Sequence, residues 1–274
     1  MLWEEISNRA ERSGASIRNI FQEEMQKAVL AFLSRKGCFE NIVLHDGTAL
    51  RLFHGNPRFS EGIDLVFKEN VDNYDLSPCI SKADRFCLDM FPFLTSVQIE
   101  TQKDHGGIQR YVLRATSDAR ERSLRLHIEL FCVPSYTNRP MILDYPPMQP
   151  AVTVEDPAEI LSDKVCALAL RDYTKGRDLW DLYFLRKERS VEPEWDLVMK
   201  KVRDYGHDLS ELEKRIEGKE DQVRENGETA LKREMERFMP EAVWTSYRHS
   251  LEMILGSVSD ILTTFREKVE DHVG

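Results

Sequence analysis

The residues best suited to chemistry in this chain fall in one stretch, HDGTALRLFHGNPRFSEGIDLVF, from His45 to Phe67. Gly47 and Thr48 make a small-residue turn, Arg51, Arg58 and Ser60 follow, and the carboxylate of Asp64 stands inside an apolar run. Backbone N–H groups and hydroxyls at a helix start suit phosphate oxygens. A strand-borne carboxylate suits Mg²⁺, which is usually held by one or two carboxylates together with substrate phosphates. Gly47, Thr48 and Ser60 are therefore candidate phosphate contacts, with plainer uses as a helix cap at Thr48 and a turn at Ser60. Arg51 and Arg58 have two readings, as phosphate contacts or as partners of Glu61 and other surface acids. Glu129, in RLHIELF, is an acid on a later strand, and Arg125 and His127 on its strand face are its plain partners.

A second stretch, EDPAEILSDKVCALALRDYTKGRDLWDLYFL (Glu155 to Leu185), adds charged groups at helical spacing. Lys164 and Arg171 share one helix face, and Asp178 and Asp181 share a face of the next helix. Lysine neutralises phosphate as a point charge, whereas arginine can do so with two parallel bonds. The plain alternatives are an acid favoured by the helix dipole at Asp178 and an ion pair of Asp181 with Arg177 or Lys164.

The elements that must carry these groups are readable from periodicity. Ile17, Ile20, Phe21, Met25, Val29, Leu30 and Phe32 recur at helical spacing, with Gly37 as the stop. A short buried strand is expected at 41–44, a short helix at 48–53, and a loop at Gly55, Asn56 and Pro57. Alternation predicts a strand over 63–67, with Gly62, Asp64 and Val66 on one face, and further strands over 96–102, 109–116 and 123–133. In the last of these Leu124, Leu126, Ile128 and Leu130 form the apolar face. Past a proline-rich passage, Asp156 and Pro157 open a run of helices that continues to the end. A boundary near 150 therefore divides an α/β half (1–150, with an N-terminal helix) from an all-helical half (151–274).

Composition sets the remaining bounds. The 274 residues carry a formal charge of −10, which disfavours nonspecific nucleic-acid binding by the whole surface. A local basic stretch (Arg110, Arg114, Arg120, Arg122 and Arg125) has two readings, an RNA-facing patch or a solvated strand face. Five scattered cysteines, none spaced CxxC, predict buried thiols in a reducing cytoplasm rather than a disulfide framework or zinc site. No signal-peptide pattern and no apolar run of membrane-spanning length is read. A soluble cytoplasmic protein is the expectation.

Together the two stretches resemble the abortive-infection toxin family of the AbiEii/AbiGii type. Its pattern runs roughly GGTAL…R…RxSxDxDh, with h apolar, then a helical lysine and arginine, and RDxxDLxxL. Two positions depart from it: Asp46 stands where the first glycine belongs, and Gly62 where the first aspartate of the pair belongs. The resemblance implies a nucleotidyltransferase-like mixed sheet flanked by helices, with a helical C-terminal half. It implies transfer of a nucleotide from a nucleoside triphosphate to an RNA such as tRNA or to another acceptor, with Mg²⁺ as cofactor, by a toxin paired with an antitoxin protein or acting in phage defence. Asp64 and Glu129 would then hold metal, Gly47, Thr48, Arg51, Ser60 and Lys164 the nucleotide, and Asp181 would orient the attacking hydroxyl. The departures at Asp46 and Gly62 keep an alternative open: a degenerate member that binds nucleotide, RNA or a protein partner with little or no turnover.

Overall fold

The computed structural model describes residues 1–69, 71, 74–105, 107–119, 122–209 and 212–273. Arg120 of the basic stretch lies outside them. The chain divides into two compact units, Met1–Glu155 and Asp156–Gly274.

The first unit opens with α1 (Trp3–Ser13) and α2 (Ile17–Arg35), then a 3₁₀ turn at Cys38–Glu40. Next come β1 (Ile42–His45), α3 (Asp46–Phe53), β2 (Gly62–Lys68), α4 (Ser77–Ile80) and α5 (Ala83–Met90). It closes with β3 (Ser96–His105), β4 (Ile108–Thr116), β5 (Leu124–Ser135), β6 (Asn138–Ile142) and β7 (Ala151–Glu155). All seven strands join one sheet in the order β3-β4-β5-β2-β1-β7-β6. The β2/β5 and β1/β7 pairs are parallel and the others antiparallel. This is the mixed α/β sheet the sequence implies, and its periodicity explains the faces. Along β5, Leu124, Leu126, Ile128 and Leu130 are buried while Arg125, His127 and Glu129 are more open.

Helix α2 starts where Ser16 caps it, accepting the Asn19 N–H at 3.1 Å. It is buried from Asn19 through Leu33 apart from Lys27. A helix buried on all sides is normally apolar throughout, yet Gln22, Glu23, Glu24 and Gln26 are all buried in it. Their use is local: Gln22 and Gln26 hold the loop that leads into β2, Glu23 pairs with Arg51 of α3, and Glu24 pairs with Arg9 of α1.

Several expectations need correction. The helix predicted at 48–53 begins two residues earlier, at Asp46, directly after β1. Helices α4 and α5 and strands β6 and β7 carry no clear periodicity in the sequence, being four to eight residues long. Pro140 sits in β6, at the sheet edge where a missing N–H is tolerated. Cys38 and Cys79 form a disulfide across 6.1 Å between Cα atoms, against the prediction of free thiols throughout. Cys87 and Cys166 are buried thiols and Cys132 is exposed.

The second unit is helical: α6 (Pro157–Leu170), α7 (Gly176–Tyr183) continuing into a π turn at Phe184–Glu188, α8 (Trp195–Asp204), α9 (Leu212–Phe238), α10 (Glu241–Tyr247) and α11 (Leu251–Val273). No helix among the described residues is long and apolar enough to cross a membrane. Lys201 of α8 is fully buried between two carboxylates of α6, Glu159 at 2.5 Å and Asp163 at 3.1 Å. The Tyr205 hydroxyl donates to Asp163 at 2.9 Å. Helix α7 rests on α9 at Gly176, where an added Cβ would lie 2.2 Å from the Ala230 carbonyl oxygen and 2.9 Å from Leu231 Cα.

Those neighbours are backbone and cannot swing away. Gly176→Ala is accordingly expected to destabilise the protein by about 2 kcal/mol or more in urea denaturation, through overpacking. A loss under about 0.5 kcal/mol, the range of ordinary surface substitutions, would show that α7 and α9 separate without cost.

Candidate active site

The turn between β1 and α3 is built by buried polar contacts. Thr48 is fully buried, and its hydroxyl lies 2.5 Å from the Gly62 carbonyl and 2.9 Å from Ser60 Oγ. A carbonyl can only accept, so the Thr48 proton points to Gly62. Gln26 Nε2 donates to the same carbonyl at 2.9 Å and to Ser60 O at 3.1 Å, and Gln22 donates to Glu61 O. Helix α2 and the start of α3 thus clamp the backbone at the mouth of β2.

Beneath this clamp the arginines have partners within the protein. Arg58 is buried, and its Nη1 donates to Phe59 O at 3.0 Å. Its guanidinium packs so closely on Gly47 that an added Cβ would come within 2.7 Å of Nη2 and 3.1 Å of Ser60 Oγ. Arg51 donates through Nε to Glu23 at 2.5 Å and through Nη1 to Pro57 O at 2.8 Å, and lies 3.9 Å above the Phe59 ring. Burial pushes the Glu23 carboxyl up, but Arg51, Lys27 and Arg9 outweigh it and hold the group below its ordinary value. Asp46, first in α3, has φ 58°, in the left-handed region that favours glycine. A glycine at this position in the pattern therefore has a backbone reason.

The carboxylates stand on the sheet face beside the turn. Asp64 of β2 is in direct parallel register with Glu129 of β5, and on its other side with His45 of β1. Register partners share a face, so the two carboxylates are lateral neighbours. Glu129 does not pair with Arg125 or His127 as its own strand allowed. Its partner is Arg110 of β4, with Nε 2.7 Å from Oε1 in a charge contact that lacks the alignment of a hydrogen bond. Burial first, then the charge of Arg125, hold the His127 imidazole below its ordinary value against the pull of Glu129. Carboxylates are hard oxygen donors of the kind Mg²⁺ prefers, and Arg110 already offsets the charge of Glu129. The donor set fits that ion.

In the second unit Lys164 is enclosed by Asp178 (3.1 Å) and Asp181 (2.9 Å), and Arg171 also pairs with Asp178. Asp181 is fully buried and Lys164 nearly so.

Residues 28–270 match the family described as the nucleotidyl transferase AbiEii toxin of type IV toxin–antitoxin systems. The chain belongs to that family. Two crystal structures from Helicobacter pylori share the fold of this AbiEii-family chain. JHP933 superposes with a TM-score of 0.52 at 19% identity, covering 94% of this chain and 96% of that one. A candidate nucleotidyltransferase superposes at 0.53 and 19%, covering 93% and 98%. No curated protein matches the sequence significantly.

Of the residues singled out in this AbiEii-family sequence, the structure brings Gly47, Thr48 and Ser60 together, sets Asp64 beside Glu129, and joins Lys164 to Asp181. The first two groups lie in the first unit and the third in the second. Arg51 and the Thr48 hydroxyl have partners within the protein, Glu23 and Pro57 O for the first and Gly62 O for the second. Arg114 pairs with Glu100 and Arg110 with Glu129, so two of the arginines in the basic stretch are matched by acids. Sequence reasoning missed Glu155, a fully buried residue whose Oε2 lies 3.5 Å from His45 Nδ1 and whose carbonyl meets His54 Nε2 at 3.0 Å. No local signal marks it, since it ends a five-residue strand. Gln26 was hidden inside a helix pattern scored for its apolar residues.

Gly47 has a testable role in this arrangement. Gly47→Ala is expected to cost about 1–3 kcal/mol by overpacking against Arg58. In an Arg58→Ala background the same change should cost far less, giving a clear coupling in a double-mutant cycle of denaturation midpoints. Equal costs in both backgrounds would place the crowding elsewhere.

Proposed function

We propose that the protein is a Mg²⁺-dependent nucleotidyltransferase that moves a nucleotide from a nucleoside triphosphate to an RNA acceptor, with transfer RNA the first to test. It would act as the toxin of a type IV toxin–antitoxin pair. The observation that carries this reading is the lateral register of Asp64 and Glu129 beside the Gly47 turn, in a chain of this family. Asp64 and Glu129 would hold the metal, whose chemistry is to neutralise charge building on the phosphates in transfer. The backbone N–H groups around Gly47, with Ser60, would cradle the triphosphate. Lys164 would neutralise a phosphate and Asp181 would orient the attacking hydroxyl and take its proton, each giving up part of its present contact with the other. The acceptor oxygen bonds to the α-phosphorus as pyrophosphate leaves. An antitoxin protein is the expected macromolecular partner, and the cytoplasm, where nucleotide and RNA are found, the expected place.

A second reading, binding with little turnover, is favoured by Gly62. It stands where the family pattern has a carboxylate, and it faces His127 in register. The space there admits a test. A Cβ at 62 would lie 3.3 Å from the His127 carbonyl oxygen and 3.9 Å from Asp64 Oδ2, so a side chain needs only a small shift and would project beside Asp64.

Transfer of labelled nucleotide to total RNA should be slow in the native protein and lost in Asp64→Asn. It should rise on the order of a hundredfold in Gly62→Asp, as an added carboxylate contributes several kcal/mol through the metal it helps hold. Absence of any gain in Gly62→Asp would mean that transfer does not run through this position. Transfer undiminished in Asp64→Asn would remove the proposal.

A further inference from the structure

One cross-sheet row of side chains is left unexplained by the roles given above. Reading across register partners from the β3 edge, it runs Lys103, Arg110, Glu129, Asp64 and His45. Two cations thus abut two carboxylates on one face. Within the row Arg110 has a like charge, Lys103, on one side and Glu129 on the other, and it contacts Glu129 at 2.7 Å. The Glu129 side chain is 17% exposed and that of Arg110 38% exposed, so the pair is reachable from solvent. The contact is a charge contact without an aligned hydrogen bond. Such a pair is held by electrostatics and separates at small cost.

We propose that Arg110 is a positioning residue that occupies Glu129 in place of the divalent ion, so that metal loading requires Arg110 to release the carboxylate. The inference rests on the reading of Asp64 and Glu129 as metal ligands. The physical argument is competition for one charge. Glu129 cannot give its carboxylate fully to a guanidinium and to Mg²⁺ at once, and a guanidinium left at that distance would also repel the ion. The apparent metal affinity is then the intrinsic affinity reduced by the fraction of molecules in which Glu129 is free. Arg114, its neighbour two residues along β4, pairs with Glu100 instead and has no such role.

The test is Mn²⁺ titration of the full-length protein without nucleotide, read by calorimetry and by the paramagnetic signal of the free ion. Arg110→Gln is expected to bind Mn²⁺ about three- to tenfold more tightly than native protein, the scale of an exposed ion pair plus a removed like charge. Arg110→Lys should stay near the native value, and Arg114→Gln should change little. The gain in Arg110→Gln should vanish when Glu129→Gln is also present. Native Mn²⁺ affinity in Arg110→Gln, or an equal gain in Arg114→Gln, would overturn the proposal while leaving the metal site intact. No Mn²⁺ binding in native protein or in Arg110→Gln would overturn both the proposal and the metal-site reading beneath it. Far-ultraviolet circular dichroism of each variant confirms that a folded protein is being titrated.

Discussion

The Gly62 carbonyl is the point on which the candidate site hangs. It accepts from Thr48 in α3 and from Gln26 in α2, and so joins the turn after β1 to the first residue of β2. Each of these bonds adds only about 1 kcal/mol net, but leaving a buried carbonyl unsatisfied costs about 1–3 kcal/mol. The clamp therefore fixes the place where β2 begins. Once that residue is fixed, strand periodicity sets the face on which Asp64 projects, because a slip of one residue would turn it over. The parallel register with β5 then brings Glu129 alongside. Backbone geometry makes the site, and the side chains named in the motif mostly serve that geometry.

The same economy runs through the charged groups. Arg51 and Glu23 satisfy one another below the turn, Arg58 fills the space that Gly47 leaves open, and Arg110 offsets the carboxylate pair. In the second unit Lys201 lies between Glu159 and Asp163, and Lys164 between Asp178 and Asp181. Buried ion clusters of this kind are weak sources of net stability, since desolvation cancels much of the attraction. Breaking one is costly, because a stranded buried charge remains. They tie α8 to α6 and α6 to α7 in one arrangement. Lys164 and Asp181 thus have a structural use whatever part they take in transfer.

Much of this was legible in the sequence where local rules decide the outcome. Alternation marked β2 and β5, helical spacing marked α2, and Asp156-Pro157 marked the start of α6. The motif order gave the family. What stayed hidden depends on register and close approach, which no local window contains. Arg110 meets Glu129 because β4 pairs antiparallel with β5, and Gly176 is required by the backbone of α9 that lies against it. Strands β6 and β7 are short, and β6 carries a proline, so neither shows a period. The Cys38–Cys79 pairing spans 41 residues and follows from the fold alone. The contacts that Thr48 and Arg51 make inside the protein depend on burial and close approach, which are tertiary properties.

The most direct test of the central claim is calorimetric titration of each nucleoside triphosphate into native protein and into Asp64→Asn, with and without Mg²⁺. The account predicts binding that requires Mg²⁺ and that weakens at least about tenfold in Asp64→Asn, since one of two metal carboxylates is gone. Binding that is indifferent to both Mg²⁺ and Asp64, or no binding under any condition, would contradict it.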